Sequence, residues 1–161
     1  MRFPLYIEGK IELGDIPPES AAELAARVAS ALTKVRASNV SLTGTSVTFR
    51  GGIFRLVSNW NILVPVSWGA IDILTGSPGV VAYKFSCREM LVVTTLMALV
   101  AAFFMSFVVS PSEPLFFRLG APALMWLCLY AGNYLISRYR LPAFVKDAAG
   151  GITHATATRA G

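Results

Sequence analysis

Charge is scarce in this chain, and the places where it is missing decide how the rest reads. Only 14% of the 161 residues are Asp, Glu, Lys or Arg, against roughly 25% in an ordinary soluble domain. The shortage is concentrated: between Met90 and Ser137 the charged residues are Glu113 and Arg118 alone. Histidine occurs once, as His154, and cysteine twice, as Cys87 and Cys128. A single histidine leaves no Cys/His zinc cluster and no base for a serine or cysteine nucleophile. Because His154 lies in the carboxy-terminal tail, it is also out of reach of a haem or pigment held between apolar helices. Two cysteines 41 residues apart suggest neither a disulfide in a reducing cytosol nor a metal site. Gly44, Gly51 and Gly52 match no phosphate-cradling motif. No catalytic centre and no cofactor is expected.

What is abundant is apolar sequence, 55% of the chain. The run Met90–Val109, MLVVTTLMALVAAFFMSFVV, carries no charge. As a helix its twenty residues would extend about 30 Å, one hydrocarbon thickness. Ser110-Pro111-Ser112-Glu113-Pro114 then breaks and turns the chain, and a second apolar stretch runs from about 117 to 137. Pro122 is acceptable there if it falls in the first turn. A transmembrane hairpin over 89–140 is expected, with spans near 90–109 and 117–137.

Before the hairpin, residues 1–88 read as an α+β domain. Residues 2–13 alternate, with Phe3, Leu5, Ile7, Ile11 and Leu13 on one face and Tyr6, Glu8, Lys10 and Glu12 on the other. That is a strand wet on one side, with Gly9 as a candidate bulge. A helix over about 19–36 buries Leu24, Val28, Leu32 and Val35. Ser20 and Glu23 are spaced as a capping box, and Glu23 with Arg27 as an i,i+4 pair. A lipid-surface role for this helix is disfavoured, because its apolar side has no aromatic residue. Short strands follow near 39–43, 46–50, 53–58, 62–67, 69–74 and 79–86, with connections too short for crossover helices. The fold class is therefore a mostly antiparallel sheet, β-α-β5-6, covered by one helix. Pro65 would sit at an edge or bulge, and strand alternation turns Asp72 outward. One helix cannot cover such a sheet. Ile53, Trp60, Leu63 and Trp68 then lie on a bare face, unless the sheet curls over them or a partner or lipid covers them.

The flanks give orientation. Lys84 and Arg88 precede the first span and Arg138, Arg140 and Lys146 follow the second, whereas the intervening loop offers only Arg118. Five against one places both termini in the cytosol of a bacterial-type inner membrane. The start, MRFPLYIEGKIELGD, alternates where a signal peptide would be continuously apolar, which agrees. Arg88, Phe116, Phe117, Arg118, Tyr134, Arg138, Tyr139 and Arg140 are the expected membrane-interface residues. The net charge of +5 is explained by this juxtamembrane bias, and nucleic acid is not an expected partner.

Within the spans Thr94, Ala98, Ala102 and Ser106 recur every four residues, a ridge that lets helices approach closely. Cys128 and Gly132 form a smaller patch, and Asn133 is placed to hydrogen-bond a neighbouring helix. With no Asp, Glu, Lys or His at membrane depth, a pump, transporter or proton channel is disfavoured. The tail, 141–161, is expected to be polar and disordered. The resulting expectation is a non-catalytic accessory subunit of a larger integral-membrane complex of respiratory, photosynthetic or transport type. Its partners would be lipid and other membrane subunits, with a homo-oligomer possible; the alternative is a membrane-anchored module that senses a ligand or lipid headgroup.

Overall fold

The computed structural model describes residues 5–51, 62–108 and 114–150, without the side chains of 115–118. It is α+β. Strand β1 (Tyr6–Leu13) leads to helix α1 (Pro18–Lys34), then β2 (Ser38–Thr43), β3 (Ser46–Arg50), β4 (Trp68–Leu74) and β5 (Gly79–Ser86). Helices α2 (Arg88–Val108) and α3 (Leu115–Gly150) complete the order. The strands form one antiparallel sheet in the order β1-β5-β4-β3-β2, so the first strand returns to pair with the last.

Period-two alternation decides the faces. Ile7, Phe85, Gly69 and Phe49 lie in register across four strands on the covered face, and Ile11, Val81 and Ile73 across three. Gly69 is glycine for want of room: a Cβ there would lie 2.6 Å from the Phe85 ring and 2.5 Å from that of Phe49. Those two rings close over it with centroids 5.9 Å apart. On the opposite face Tyr6, Glu8, Lys10, Glu12, Trp68 and Asp72 are exposed, and the outward position of Asp72 follows from the alternation.

Several expectations need correction. Gly9 makes no bulge, since the register from Tyr6↔Ser86 to Leu13↔Gly79 is unbroken. Its hydrogen instead makes room for the Tyr83 hydroxyl, which a Cβ would strike. Helix α1 is not closed by a capping box: its N-cap is Pro17 without a side-chain cap, and the Ser20 hydroxyl donates back to the Pro17 carbonyl at 2.9 Å. Residues 62–65 are a turn, because Pro65 has no N–H for a ladder, and Leu63 is buried in the core. Trp68 is on the bare face, 40% exposed, while the strand expected at 53–58, Ile53 and Trp60 fall outside the described residues.

The largest correction concerns the tail. Helix α3 continues through Pro142 to Gly150, and Leu141, Val145 and Ala149 are buried in the same core as Ile7 and Leu24. At 36 residues α3 is roughly 54 Å long, well beyond the ~30 Å of one bilayer core. Its last third packs beside α1 and against β1. The sheet thus has two covering helices. Helix α1 contacts β2, β3 and β4, and the end of α3 supplies the cover on the β1 side. Residues 151–161 lie outside the described residues.

Candidate functional site: the junction of sheet and helices

The sheet joins the apolar helices without a linker, and the joint is hydrogen-bonded. Cys87 N donates to the Leu5 carbonyl at 2.8 Å, and Ser67 N to the Ser86 carbonyl at 2.7 Å. One donor at the start of α2, the Glu89 N–H, reaches the Ser67 hydroxyl at 2.9 Å. Helix starts leave such N–H groups orphaned, and here the cap comes from a residue 22 positions upstream. Cys87 is fully buried, and burial pushes its thiol up to about 11, which leaves it protonated and unreactive near neutrality.

Helices α2 and α3 are long and apolar enough to cross a membrane, and little of either apolar stretch is buried within the protein. Val92, Leu96, Leu99, Phe103 and Phe107 of α2 stand open, Phe107 at 74%. A soluble domain rarely leaves contiguous apolar surface on that scale.

The small-residue ridge is largely used inside the chain. Thr94 is buried, Ala98 and Ala102 are half-buried along the α2–α3 contact, and Ser106 is exposed with its hydroxyl donating to the Ala102 carbonyl at 2.9 Å. Opposite the ridge α3 presents aromatics. Trp126, Tyr130 and Tyr134 stack in sequence, with centroids 5.4 and 6.2 Å apart, and the Trp126 indole N–H donates to the Thr95 hydroxyl at 3.0 Å. The inward stripe of α3 runs Pro122, Trp126, Tyr130, Tyr134, Ser137, Leu141, Val145, Ala149. Pro122 lies inside the helix, not in its first turn, because α3 starts at Leu115. Cys128 and Asn133 face away from that stripe and are exposed. The Asn133 amide donates to the Leu129 carbonyl at 2.6 Å, and among the described residues nothing beyond the chain neighbours and the surrounding helix backbone lies within 4 Å of the place a Cβ would occupy on Gly132. The polar side chains of these helices are therefore mostly satisfied by carbonyls a turn away, as in packed or lipid-facing helices.

At the expected interface level, Arg88, Arg138, Tyr139 and Arg140 are exposed, and the Tyr134 hydroxyl donates to the Tyr6 carbonyl at 3.3 Å. The side chains of Phe116, Phe117 and Arg118 lie outside the described residues. Two shallow clefts flank β1. One, of about 320 Å³, lies on the bare face, where Glu8, Lys10, Asp72 and Lys84 surround Ala82 with alternating charge. The other, of about 350 Å³, lies between β1 and α3 and is walled by Tyr6, Ile7, Glu8, Tyr83, Tyr134 and Arg138. Among the described residues no cluster of His, Cys, Asp and Glu is arranged to hold a metal. The Ser67 cap and the buried end of α3 escaped sequence reasoning. The signal for the second was present, in the spacing of Leu141, Val145 and Ala149.

No protein-family model matches the chain, and it matches neither a curated protein nor a solved structure.

Proposed function

We propose that α2 and α3 cross a bacterial-type inner membrane with both termini in the cytosol, and that the chain is a non-catalytic accessory subunit of a larger integral-membrane complex. The observation that carries this reading is the double attachment of the sheet. Helix α2 springs from β5 with its first turn capped by Ser67, and α3 returns to bury Leu141 and Val145 beneath the same sheet. Such a domain stands at fixed height and angle on the bilayer, which suits a part that braces neighbours and not one that reaches for a distant substrate. With α2 and α3 packed on one another, the helical surfaces left for partners are the open stripe of α2 from Val92 to Phe107 and the outer side of α3 around Cys128, Gly132 and Asn133. The bare sheet face with Tyr6 and Trp68 is the corresponding cytosolic surface.

Extraction in mild detergent followed by native mass spectrometry tests the reading. A stable complex with one or more other membrane proteins, lost when Gly132 is replaced by Leu, is the expected outcome. A lone monodisperse monomer at every concentration would overturn it.

A further inference from the structure

We infer that the cleft between β1 and α3 binds the headgroup of a phospholipid that carries both a phosphate and a primary amine, of the phosphoethanolamine type. The inference rests on the reading that α3 crosses the bilayer, and it adds a ligand to that reading.

Height comes first. The apolar sequence of α3 continues to Ser137, and Arg138 is the first cation after it, at the level where lipid phosphates lie. Tyr134 is one turn earlier on the same side of the helix, and its hydroxyl is pinned to the Tyr6 carbonyl, which fixes the wall of the cleft against the sheet. The opening, about 350 Å³, is within the range of small-molecule sites.

The polar groups are complementary to such a headgroup. Arg138 is exposed and has no carboxylate partner among the described residues, so its planar fork is available to a phosphate. The Tyr83 hydroxyl reaches across Gly9 toward the cleft. Burial holds that phenol protonated, as a donor, to higher pH than usual. One acid, Glu8, lines the same cleft. It would repel a purely anionic headgroup, yet it gives a primary ammonium an acceptor. Its present partner, Lys84, sits at 3.7 Å with both side chains more than half exposed, a loose pair that a second cation can share. A cation and an anion on opposite walls of one cleft match a zwitterion better than they match either charge alone.

Membranes washed at high pH are tested first: release of the chain by the wash would overturn the membrane reading and this inference with it. The full-length protein is then purified in mild detergent and mixed with phosphatidylethanolamine, phosphatidylcholine or phosphatidylglycerol, and retained lipid is counted by native mass spectrometry. The wild type is expected to retain phosphatidylethanolamine roughly tenfold over phosphatidylcholine, whose quaternary amine cannot donate to Glu8. Arg138→Gln should lower retention of phosphatidylethanolamine roughly tenfold, and Arg140→Gln, which removes the same charge outside the cleft, should not. Glu8→Gln should abolish the preference over phosphatidylcholine. Equal retention of the three lipids, or equal effects of the two arginine variants, would overturn the site while leaving the membrane reading intact. Displacement of the lipid by inorganic phosphate alone would reduce the cleft to a simple anion site and overturn the headgroup assignment.

Discussion

Replacing Leu141 and Val145 together by Ala tests whether the end of α3 belongs to the core of the sheet domain. Both side chains are fully buried, one turn apart on the inward stripe. Leu→Ala at a buried site costs about 2–5 kcal/mol, and removing two methyl groups from Val adds about 1.6 kcal/mol at ~0.8 kcal/mol per group. Because the two share neighbours, their effects are not fully additive, and about 4 kcal/mol is a reasonable sum. The burden falls on one docked segment, so local undocking of 139–150 should become roughly 10²–10³-fold more populated. Trypsin reads this directly. Arg140 and Lys146 lie inside the docked helix and are cleavable only when it opens, and cleavage follows the open population when reclosing is fast. In mild detergent, cuts after Arg140 and Lys146 should be at least about 100-fold faster in the double variant. Ile136→Ala, on an exposed side of the same helix, should leave them unchanged. Wild-type protein cleaved at those two bonds as fast as the double variant would show that the segment is not docked, and the reasoning would fail.

Three further outcomes can be checked by unfolding the purified protein. Ser67→Ala removes the acceptor of the Glu89 N–H and should lower stability by about 1 kcal/mol, as loss of a helix cap does; an unchanged denaturation midpoint would mean that water replaces the cap. Gly69→Ala forces a methyl between the Phe49 and Phe85 rings and should cost about 1–3 kcal/mol by overpacking, read as a lower midpoint with unchanged slope; no cost would show that the two rings separate freely. Cys87 makes stability pH-dependent at the alkaline end. Burial raises its thiol from 9.0 to about 11 in the folded protein, so its contribution is complete below about pH 9. Between about 9 and 11 it declines by about 1.4 kcal/mol per pH unit, as only the unfolded chain ionises freely. Cys87→Ala should remove this part of the alkaline slope, and an identical slope in the variant would refute the assignment.

The elements whose periodicity is local were legible in the sequence. Residues 6–13 announce their faces by alternation, the strand at 69–74 by Asp72 set between Ile71 and Ile73, α1 by the spacing of Leu24, Val28 and Leu32, and α2 by uninterrupted apolarity. What could not be read depended on distant partners. Nothing near Ser67 signals that its hydroxyl will cap a helix beginning at Arg88, because the capping distance is set by the β4–β5 pairing. Gly9 and Gly69 resemble strand weaknesses until the rings of Tyr83, Phe49 and Phe85 are placed over them. Residues 141–149 read as part of a polar tail because Gly150-Gly151 and the Thr/Ala run beyond them dilute the apolar signal of Leu141, Val145 and Ala149. Pro142 costs α3 a backbone N–H, and the burial of those three side chains offsets that loss.

That burial alters where the domain ends. A boundary at residue 88 leaves Ile7 and the β1 side of the sheet without the cover that α3 provides, since the remaining helix, α1, lies over β2, β3 and β4. Complete burial of a Leu or Val is worth about 1.5–3 kcal/mol each, so Leu141 and Val145 together supply on the order of 5 kcal/mol, comparable to the whole stability of a small domain. A soluble fragment of residues 1–88 should therefore be molten or aggregated, with a collapsed amide region in its NMR spectrum. Joining residues 138–150 to it through a flexible linker should restore dispersed signals and cooperative unfolding, because the helix needs only proximity to dock. A fragment of 1–88 that folds cooperatively by itself would show that the sheet and α1 are self-sufficient. The end of α3 would then be an attachment to a finished domain and not the missing part of its core.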